Sequence, residues 1–538
     1  MSAPPAAPAR PRHRGGLRLA DLFPTVLDHN PPQHDPPDHD PAEHNPEVRG
    51  ITLDSRRVRP GDLYVALPGR RHHGARFAAD AVRAGAVAVL TDAAGAEVAA
   101  TLPAPVVVVA DPRSTMAPVA ARIYGNPSKR LTMLGVTGTN GKTTTTYLLD
   151  AALRAAGRHV GLVGTIGFLL DGQPIDVART TVTTPESPDL QALLAMMADG
   201  GADSCVMEVS SHAMALGRAD AIAFDVTAFT NFGRDHLDFH GSEEAYFAAK
   251  SALFTGRYTS HAVVNIDDAH GRLLVQQITA AGEVGCSTLT LAGTSESAQS
   301  AADYTAIVLG TDTDGRTHAR LDGPQATVSF HLNLPGDFNV RNAATALAML
   351  DVVGVDIAAA AGGLATAQVP GRMQRVSLGP GAPGVFVDFA HTPQAVSAAL
   401  GAVSGSRCVV VLGCGGDRDP DKRAPIGAAA AQGAAVVVVT DDNPRSEDPA
   451  SIRAQVLAGA SRAVRDLSLD TTVIDGGDRR SAIRTALRLA GPGDVVAVLG
   501  KGHESGQEVA GHVHPFDDRV VIAEEWSRAA GHGEDARA

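Results

Sequence analysis

The chain has 538 residues, more than one hydrophobic core can organise, so roughly two to four domains are expected. Aromatic residues make up only 4% while Gly and Ala abound, a composition suited to α/β domains with close helix–sheet packing. The net charge of −13 argues against a nucleic-acid surface and leaves open a local site for an anionic ligand.

Residues Met1–Gly16 are rich in Pro, Ala and Arg and are expected to be disordered, and Leu17–Leu27 can hold a short helix. No apolar h-region follows the arginines, so no secretory signal is read there, and no apolar run approaches the length of a membrane span. His29–Pro46 carries His29, His34, His39 and His44 at a fixed interval among prolines. It is either a metal-binding tract or a solvated low-complexity insert. Order resumes at Arg49: Ile51 and Leu53 alternate with polar residues, Arg59-Pro60-Gly61-Asp62 is a turn, and Leu63–Leu67 is a second strand. A helix over Ala78–Ala84 and strands over Ala86–Thr91 and Pro105–Ala110 complete a small α/β N-terminal domain, 49–129, behind an extension, 1–48.

The stretch Leu131–Asp150 organises the next region. An apolar strand leads into Thr137-Gly138-Thr139-Asn140-Gly141-Lys142-Thr143-Thr144, and a helical pattern follows. Strand, glycine turn, Lys-Thr and helix form a phosphate-binding loop: backbone N–H groups and the helix N-terminus face the anion. Lys142 would reach the β/γ-phosphates and the Thr143 hydroxyl would ligate Mg²⁺. The spacing is imperfect, because Val136 stands where the usual pattern has its first glycine, and Gly135 and Gly138 flank it. Strands are expected at His159–Val163, Ser204–Val209, Ala223–Phe229 and Ala262–Ile266, with helices at Pro188–Ala198 and Glu243–Leu253. This alternation builds a central P-loop-type parallel sheet, 130–366, with ligands at the strands' C-terminal ends. Thr288–Phe330 reads as a partly antiparallel excursion. Glu208 ends one strand, as a carboxylate that holds Mg²⁺ would, and the polar run Thr230–Gly241, with Arg234, Asp235, His236 and His240, follows the next.

A third alternation begins after Pro370-Gly371-Arg372, with strands at Val385–Phe389, Cys408–Gly413, Ala434–Thr440, Thr472–Ile474 and Val495–Gly500. It reads as a Rossmann-like, doubly wound C-terminal domain, 367–528, before a loose tail, 529–538. The four cysteines show no metal-type spacing and read as reduced thiols of a cytoplasmic protein.

The motifs TGTNGKT, TTP (Thr183–Pro185), EVSSHA, FTNFGRDHLDFHG, Ala248-Ala249-Lys250, LPGDFNVRNAATA, PGR, VDFAHTP and GCGGDRD stand in the order found in Mur ligases, and the chain resembles that family from about Arg49 to Glu525. The resemblance implies three α/β domains and an ATP-dependent amide ligase of peptidoglycan precursor synthesis. A peptide carboxylate attacks the γ-phosphate of ATP, and an amine displaces phosphate from the acyl phosphate. It places Thr143, Glu208 and His236 near one Mg²⁺. Lys250 matches a lysine that the family carbamylates with CO₂ so that it can hold a second Mg²⁺. The resemblance puts Lys142, Glu208, His236 and Lys250 in the catalytic centre. Asn342, Arg372 and Asp388 join Thr137–Thr144 around the nucleotide.

For the UDP-N-acetylmuramoyl-dipeptide the resemblance implies Leu53 and Ser55 at the uridine end and Thr183, Thr184, Ser210 and Arg218 at the peptide end. Leu216 replaces a family glutamine, which puts that contact in doubt. Asp442-Asn443-Pro444-Arg445 resembles the DNPR motif of members that add meso-diaminopimelate. With Arg418, Gly500 and Glu504 it would form the amino-acid site. Arginines suit a distal carboxylate and Glu504 a distal ammonium. A monomer without nucleic-acid or membrane partners is expected. Rival readings are a lysine-adding homologue, a folylpolyglutamate-synthase-like ligase, and a P-loop NTPase switch or non-catalytic binding module.

Overall fold

The computed structural model describes residues 11, 15–24, 45–69, 71–177, 181, 183–293, 302–311 and 316–535. The histidine tract His29–His44 lies outside the described residues. The chain forms two compact units, one drawn from Met1–Thr305 and Thr345–Gly363, the other from Ala306–Ala344 and Leu364–Ala538.

The first unit opens with a parallel sheet of four strands in chain order, Gly50–Thr52, Asp62–Val65, Ala86–Thr91 and Val106–Val108. The helix Pro112–Ile123 follows. Asp111 caps it by accepting from the N–H groups of Arg113 and Ser114, and proline fills its first position, where no donor is missed. Among the described residues of the Leu17–Leu27 stretch, Leu19–Leu22 forms the short helix, and Leu17–Arg18 before it pairs as a strand with Glu47–Val48.

The larger sheet of this unit sets the phosphate-loop strand, Thr132–Thr137, in its middle. Ser204–Glu208 and then Val160–Val163 lie on one side, and Phe224–Phe229, Thr259–Asn265 and Gly285–Leu291 on the other, all parallel. Register places Glu208 opposite Val136 and Phe229 opposite Thr137. The loops that leave these three strands therefore emerge side by side at their C-terminal ends. The strands are buried on both faces, and residues such as Met133, Cys205, Met207, Phe224, Phe229 and Val264 pack into one core. Each fully buried Leu, Val or Phe side chain contributes about 1.5–3 kcal/mol of transfer free energy.

In the second unit, Thr317–Asp322 and Thr327–Leu332 pair antiparallel, as the alternating sequence there suggests. The other sheet runs in the order Gln374–Val376, Gly384–Asp388, Val495–Leu499, Cys408–Leu412, Val436–Thr440, Thr472–Gly477. Its first strand is antiparallel and the rest are parallel. Valine-rich strands covered by helices on both faces give two apolar layers, as a doubly wound sheet requires. The last helix runs from Asp518 to Asp535, well into the stretch expected to be a loose tail.

Candidate active site

The phosphate loop is held by its neighbours as well as by its own glycines. Gly138 has φ +147, and a Cβ there would lie 2.0 Å from Thr230 Oγ1, so only glycine lets the loop approach the next strand's end. Thr230 Oγ1 donates to Asn140 O at 2.6 Å, and Asn231 Oδ1 accepts from Asn140 N at 2.9 Å. Thr139 N donates to Asn231 O, and Thr139 Oγ1 lies 3.2 Å from Tyr246 Oη. The helix begins at Lys142, directly after Gly141 in a left-handed conformation. Thr137 and Thr144 are buried beside the loop.

Lys142 Nζ donates to Gly138 O at 2.8 Å and Thr139 O at 2.9 Å. Lys250 Nζ donates to the same Gly138 O at 2.7 Å and sits 4.5 Å from the centre of the Tyr246 ring. Lys250 is 1% exposed, not the solvated helix residue that its position in the chain alone suggests. It shares the inward face of Glu243–Ser251 with Tyr246, one turn earlier, and that spacing is the signal by which its burial is legible. Burial and, secondarily, the charge of Lys142 hold its amine well below the usual lysine range.

Glu208 is completely buried at its strand end. Its Oε2 accepts from Thr143 Oγ1 at 3.0 Å and Thr165 Oγ1 at 2.9 Å, and its Oε1 accepts from Thr165 N at 2.8 Å. A hydroxyl and a carboxylate side by side at a phosphate loop are hard oxygen donors. They suit Mg²⁺, which is usually bound through one or two carboxylates together with substrate phosphates and water. Among the described residues no group of three or more His, Cys, Asp or Glu could hold an ion.

His236 lies beside Asp235: its backbone N–H donates to Asp235 Oδ1 at 3.0 Å and its Nε2 is 3.5 Å from Asp235 Oδ2, while its carbonyl accepts from the N–H groups of Phe239 and His240. It lies in a ring cluster, 4.8 Å from His212 and 6.1 Å from Tyr246 between centroids, with φ +53. Burial lowers its imidazole to about 4, so it is neutral at physiological pH.

Of the residues expected at the peptide end, Thr184 contacts both Ser210 and Arg218, and Thr183 lies beside Thr165. Thr183 Oγ1 lies 3.1 Å from Thr165 Oγ1, Thr184 Oγ1 donates to Glu208 O at 3.0 Å, and Ser210 Oγ lies 3.4 Å from Thr184 Oγ1 while capping the next helix. Arg218 pairs with Glu186 at 2.9 Å and donates to Thr184 O. Glu186 also takes Arg113 at 3.1 Å, and Arg113 donates to the carbonyl of Leu216. Leu53 and Ser55 sit half-buried beside the first sheet, where Arg57 reaches Asp189 at 3.2 Å.

In the second unit, Asp388, the end of a central strand, accepts from Met373 N at 2.6 Å and Ala390 N at 2.8 Å, and its backbone carbonyl accepts from Gly500 N. Burial raises its carboxyl, opposed first by Arg372. The Arg372 guanidinium lies 4.5 Å over the ring of Phe389. Asn342 is buried on its helix and donates to Asn339 Oδ1 at 3.3 Å.

Three strand ends of the same sheet converge on the expected amino-acid site. Arg445 donates to Gly416 O at 2.6 Å and pairs with Glu508 at 3.4 Å. A Cβ on Gly415 would lie 2.9 Å from Arg445 Nη1 and 3.8 Å from Arg418 Cγ, so the two arginines flank that glycine. Asn443 Nδ2 donates to Glu504 Oε2 at 2.8 Å, and Pro444 O accepts from Glu447 N. Gly500 has φ +110, and a Cβ there would lie 2.5 Å from Asp442 Oδ2. Burial raises the Asp442 carboxyl, against the pull of Arg479 and Lys501. Thr165, Tyr246, Arg113 and Lys501 are not singled out by the sequence, and Thr230 and Asn231 only as the start of the polar run; their roles arise from contacts between distant segments.

The Mur ligase middle domain matches residues 136–350, the Mur ligase glutamate ligase domain residues 371–502, and the Mur ligase family catalytic domain residues 47–124. The chain is 44% identical over 528 residues to the UDP-N-acetylmuramoyl-L-alanyl-D-glutamate–2,6-diaminopimelate ligase of Streptomyces avermitilis, covering 97% of this chain and 99% of that protein. It is 45% identical over 485 residues to the ligase of the same name from Corynebacterium glutamicum, covering 88% of this chain and 91% of that one. A solved structure of a ligase of that name aligns with TM-score 0.64 at 29% identity, over 96% of this chain and 99% of that one. A folylpolyglutamate synthase of Mycobacterium tuberculosis, 22% identical with TM-score 0.59 over 78% of this chain and 94% of that one, shares the fold. The chain belongs to the Mur ligase family.

Proposed function

We propose that the chain catalyses the ATP-dependent addition of meso-diaminopimelate to the γ-carboxyl of D-glutamate in UDP-N-acetylmuramoyl-L-alanyl-D-glutamate, through an acyl phosphate, in peptidoglycan precursor synthesis. The observation that carries this reading is the convergence of Arg418, Asn443, Arg445 and Glu504 at the C-terminal ends of one sheet. That set offers cations for a distal carboxylate and an anion for a distal ammonium. The reading takes 49–129 as the uridine-binding domain, 130–366 as the ATP domain and 367–528 as the amino-acid domain, in a cytoplasmic monomer.

A carboxylate is a poor electrophile, and phosphorylation gives it a leaving group. Two anions must first be brought together. Lys142, now folded onto loop carbonyls, swings to the β/γ-phosphates, and the loop N–H groups hold them in line. Thr143 and Glu208 would hold Mg²⁺, which when bound neutralises charge on the phosphates. His236, held beside Asp235 and neutral, would join them near this Mg²⁺, as the family resemblance implies. Lys250, as a carbamate, would supply a second carboxylate. Its low amine basicity favours the neutral form that reacts with CO₂. Asn342, Arg372 and Asp388 are assigned to the nucleotide. Leu53 and Ser55 are assigned to the uridine, and Thr183, Thr184, Ser210 and Arg218 to the muramoyl peptide.

The test is kcat/KM for meso-diaminopimelate and L-lysine in wild type and Arg445→Ala. Arg445 already has Glu508 as a counterion, so a lysine substrate would not leave it wholly unpaired. The expected preference for diaminopimelate is therefore softer than the roughly 10⁴-fold of a fully desolvated site, on the order of 10²-fold or more. Arg445→Ala narrows it. A wild type indifferent to the distal carboxylate contradicts the assignment.

A further inference from the structure

The proposed amino-acid site contains a buried cation to which none of the roles above is assigned. Lys501 is fully buried. Its Nζ donates to three acceptors, Gly506 O at 2.5 Å, Glu504 Oε2 at 3.1 Å and Asn443 Oδ1 at 3.3 Å. Asn443 completes the network. Its Oδ1 also accepts from Glu508 N at 2.9 Å, and its Nδ2 donates to Glu504 Oε2 at 2.8 Å and to Asp442 Oδ1 at 3.1 Å. Two cationic or N–H donors at one end and two carboxylates at the other fix the orientation of this amide. Both its hydrogens and both its lone pairs are used within the protein, so Asn443 has nothing left to offer a ligand directly.

Lys501 and Asn443 thus end on one oxygen, Glu504 Oε2. The Glu504 side chain is 34% exposed, and Oε1 takes part in neither bond. The carboxylate is pinned from below by one oxygen and presents the other.

We propose that Lys501 is a positioning residue for the amino-acid substrate. With Asn443 it holds Glu504 in a single orientation, so that Oε1 is a fixed acceptor for a substrate ammonium. The proposal rests on the function assigned above and adds to it. An unheld glutamate has three free torsions, and ordering them would weaken binding; here the ordering is done on folding. The lysine acts through Glu504 and touches no reacting atom.

The test compares wild type, Lys501→Met, Glu504→Gln and the double variant. The readouts are KM for meso-diaminopimelate, ATP and the UDP-dipeptide, and hydroxamate formed when hydroxylamine replaces the amino acid as acceptor. Lys501→Met should raise the diaminopimelate KM about 10-fold or more, with the other two KM values within about 2-fold. Hydroxamate formation should fall far less than ligation, and the double variant should match Glu504→Gln alone. An unchanged diaminopimelate KM, an equal rise in all three, or additive effects in the double variant overturns the proposal. If Lys501→Met does not fold, Lys501→Gln, which keeps N–H donors but no charge, carries the same comparison. A wild type that forms neither hydroxamate nor tripeptide would instead remove the ligase reading, a separable outcome.

Discussion

Lys142 and Lys250, 108 positions apart in the sequence, donate to one and the same backbone oxygen, Gly138 O, at 2.8 and 2.7 Å. Two ammonium groups on one carbonyl repel, and only one of them is buried completely. The buried one is therefore the one driven towards its neutral amine. A neutral amine beside a phosphate loop is chemically prepared for CO₂. If Lys250 carries the proposed carbamate, Lys250→Ala should lower kcat roughly 10²-fold or more, because the carbamate's anionic oxygen near the phosphates would be lost. High bicarbonate should not restore it, and a short-chain carboxylic acid should do so in part. Full activity in Lys250→Ala would count against the carbamate.

The same burial has a consequence for stability. The Lys250 amine sits below its ordinary value of 10.5 in the folded chain. Between the two values the unfolded chain binds the extra proton, so stability rises with pH and the cost of this site is fully relieved only above 10.5. In CO₂-free buffer, Lys250→Met should therefore be more stable than wild type at neutral pH. The advantage should shrink as pH approaches 10.5. Urea unfolding midpoints at both pH values give the answer; an advantage independent of pH contradicts it.

Arg479 and Asp518 form an ion pair with both side chains 0% exposed, closed by two bonds of 2.7 Å, and Arg479 also donates to Leu499 O. Removing one partner strands a buried charge. Asp518→Asn or Arg479→Met should cost about 3–5 kcal/mol, whereas replacing both with apolar residues should cost much less. Thermal melts of the two single variants and the double variant test this.

Gly371 has φ +63, and a Cβ there would lie 2.0 Å from His503 N and 2.2 Å from Gly502 C. Those atoms are backbone and cannot turn aside. Gly371→Ala must displace the loop that carries Glu504, so the KM for diaminopimelate should rise about 10-fold or more. An unchanged KM in a folded variant would show that the loop tolerates the shift.

Periodic and local features of this chain were readable in advance. The strand over Thr132–Thr137, its glycine turn and the helix from Lys142 follow from apolar runs and φ-permissive glycines, and so do the alternating strands of both larger sheets. The helix Pro112–Ile123 was missed although Asp111-Pro112 is a strong start signal, because its apolar positions are small and weakly periodic. Lys250 is placed in the site by the resemblance, and its burial follows from its position one turn after Tyr246 on the inward face of its helix. Thr165 on Glu208, Asn231 on the phosphate loop and Lys501 beneath Glu504 were out of reach. Each depends on which strand ends become neighbours, and that is fixed by sheet order rather than by local spacing. The ring cluster of His236 with His212 and Tyr246 was likewise out of reach, since it joins three separate segments.

The central claim is that phosphate transfer here is coupled to amide formation between two defined partners. The direct measurement is phosphate release from ATP by the full chain with Mg²⁺, with and without UDP-N-acetylmuramoyl-L-alanyl-D-glutamate and with and without meso-diaminopimelate. Sustained release only when both are present, in step with tripeptide product, is the result the account predicts. Sustained release with ATP alone, or with the UDP-dipeptide replaced by a folate, would contradict it.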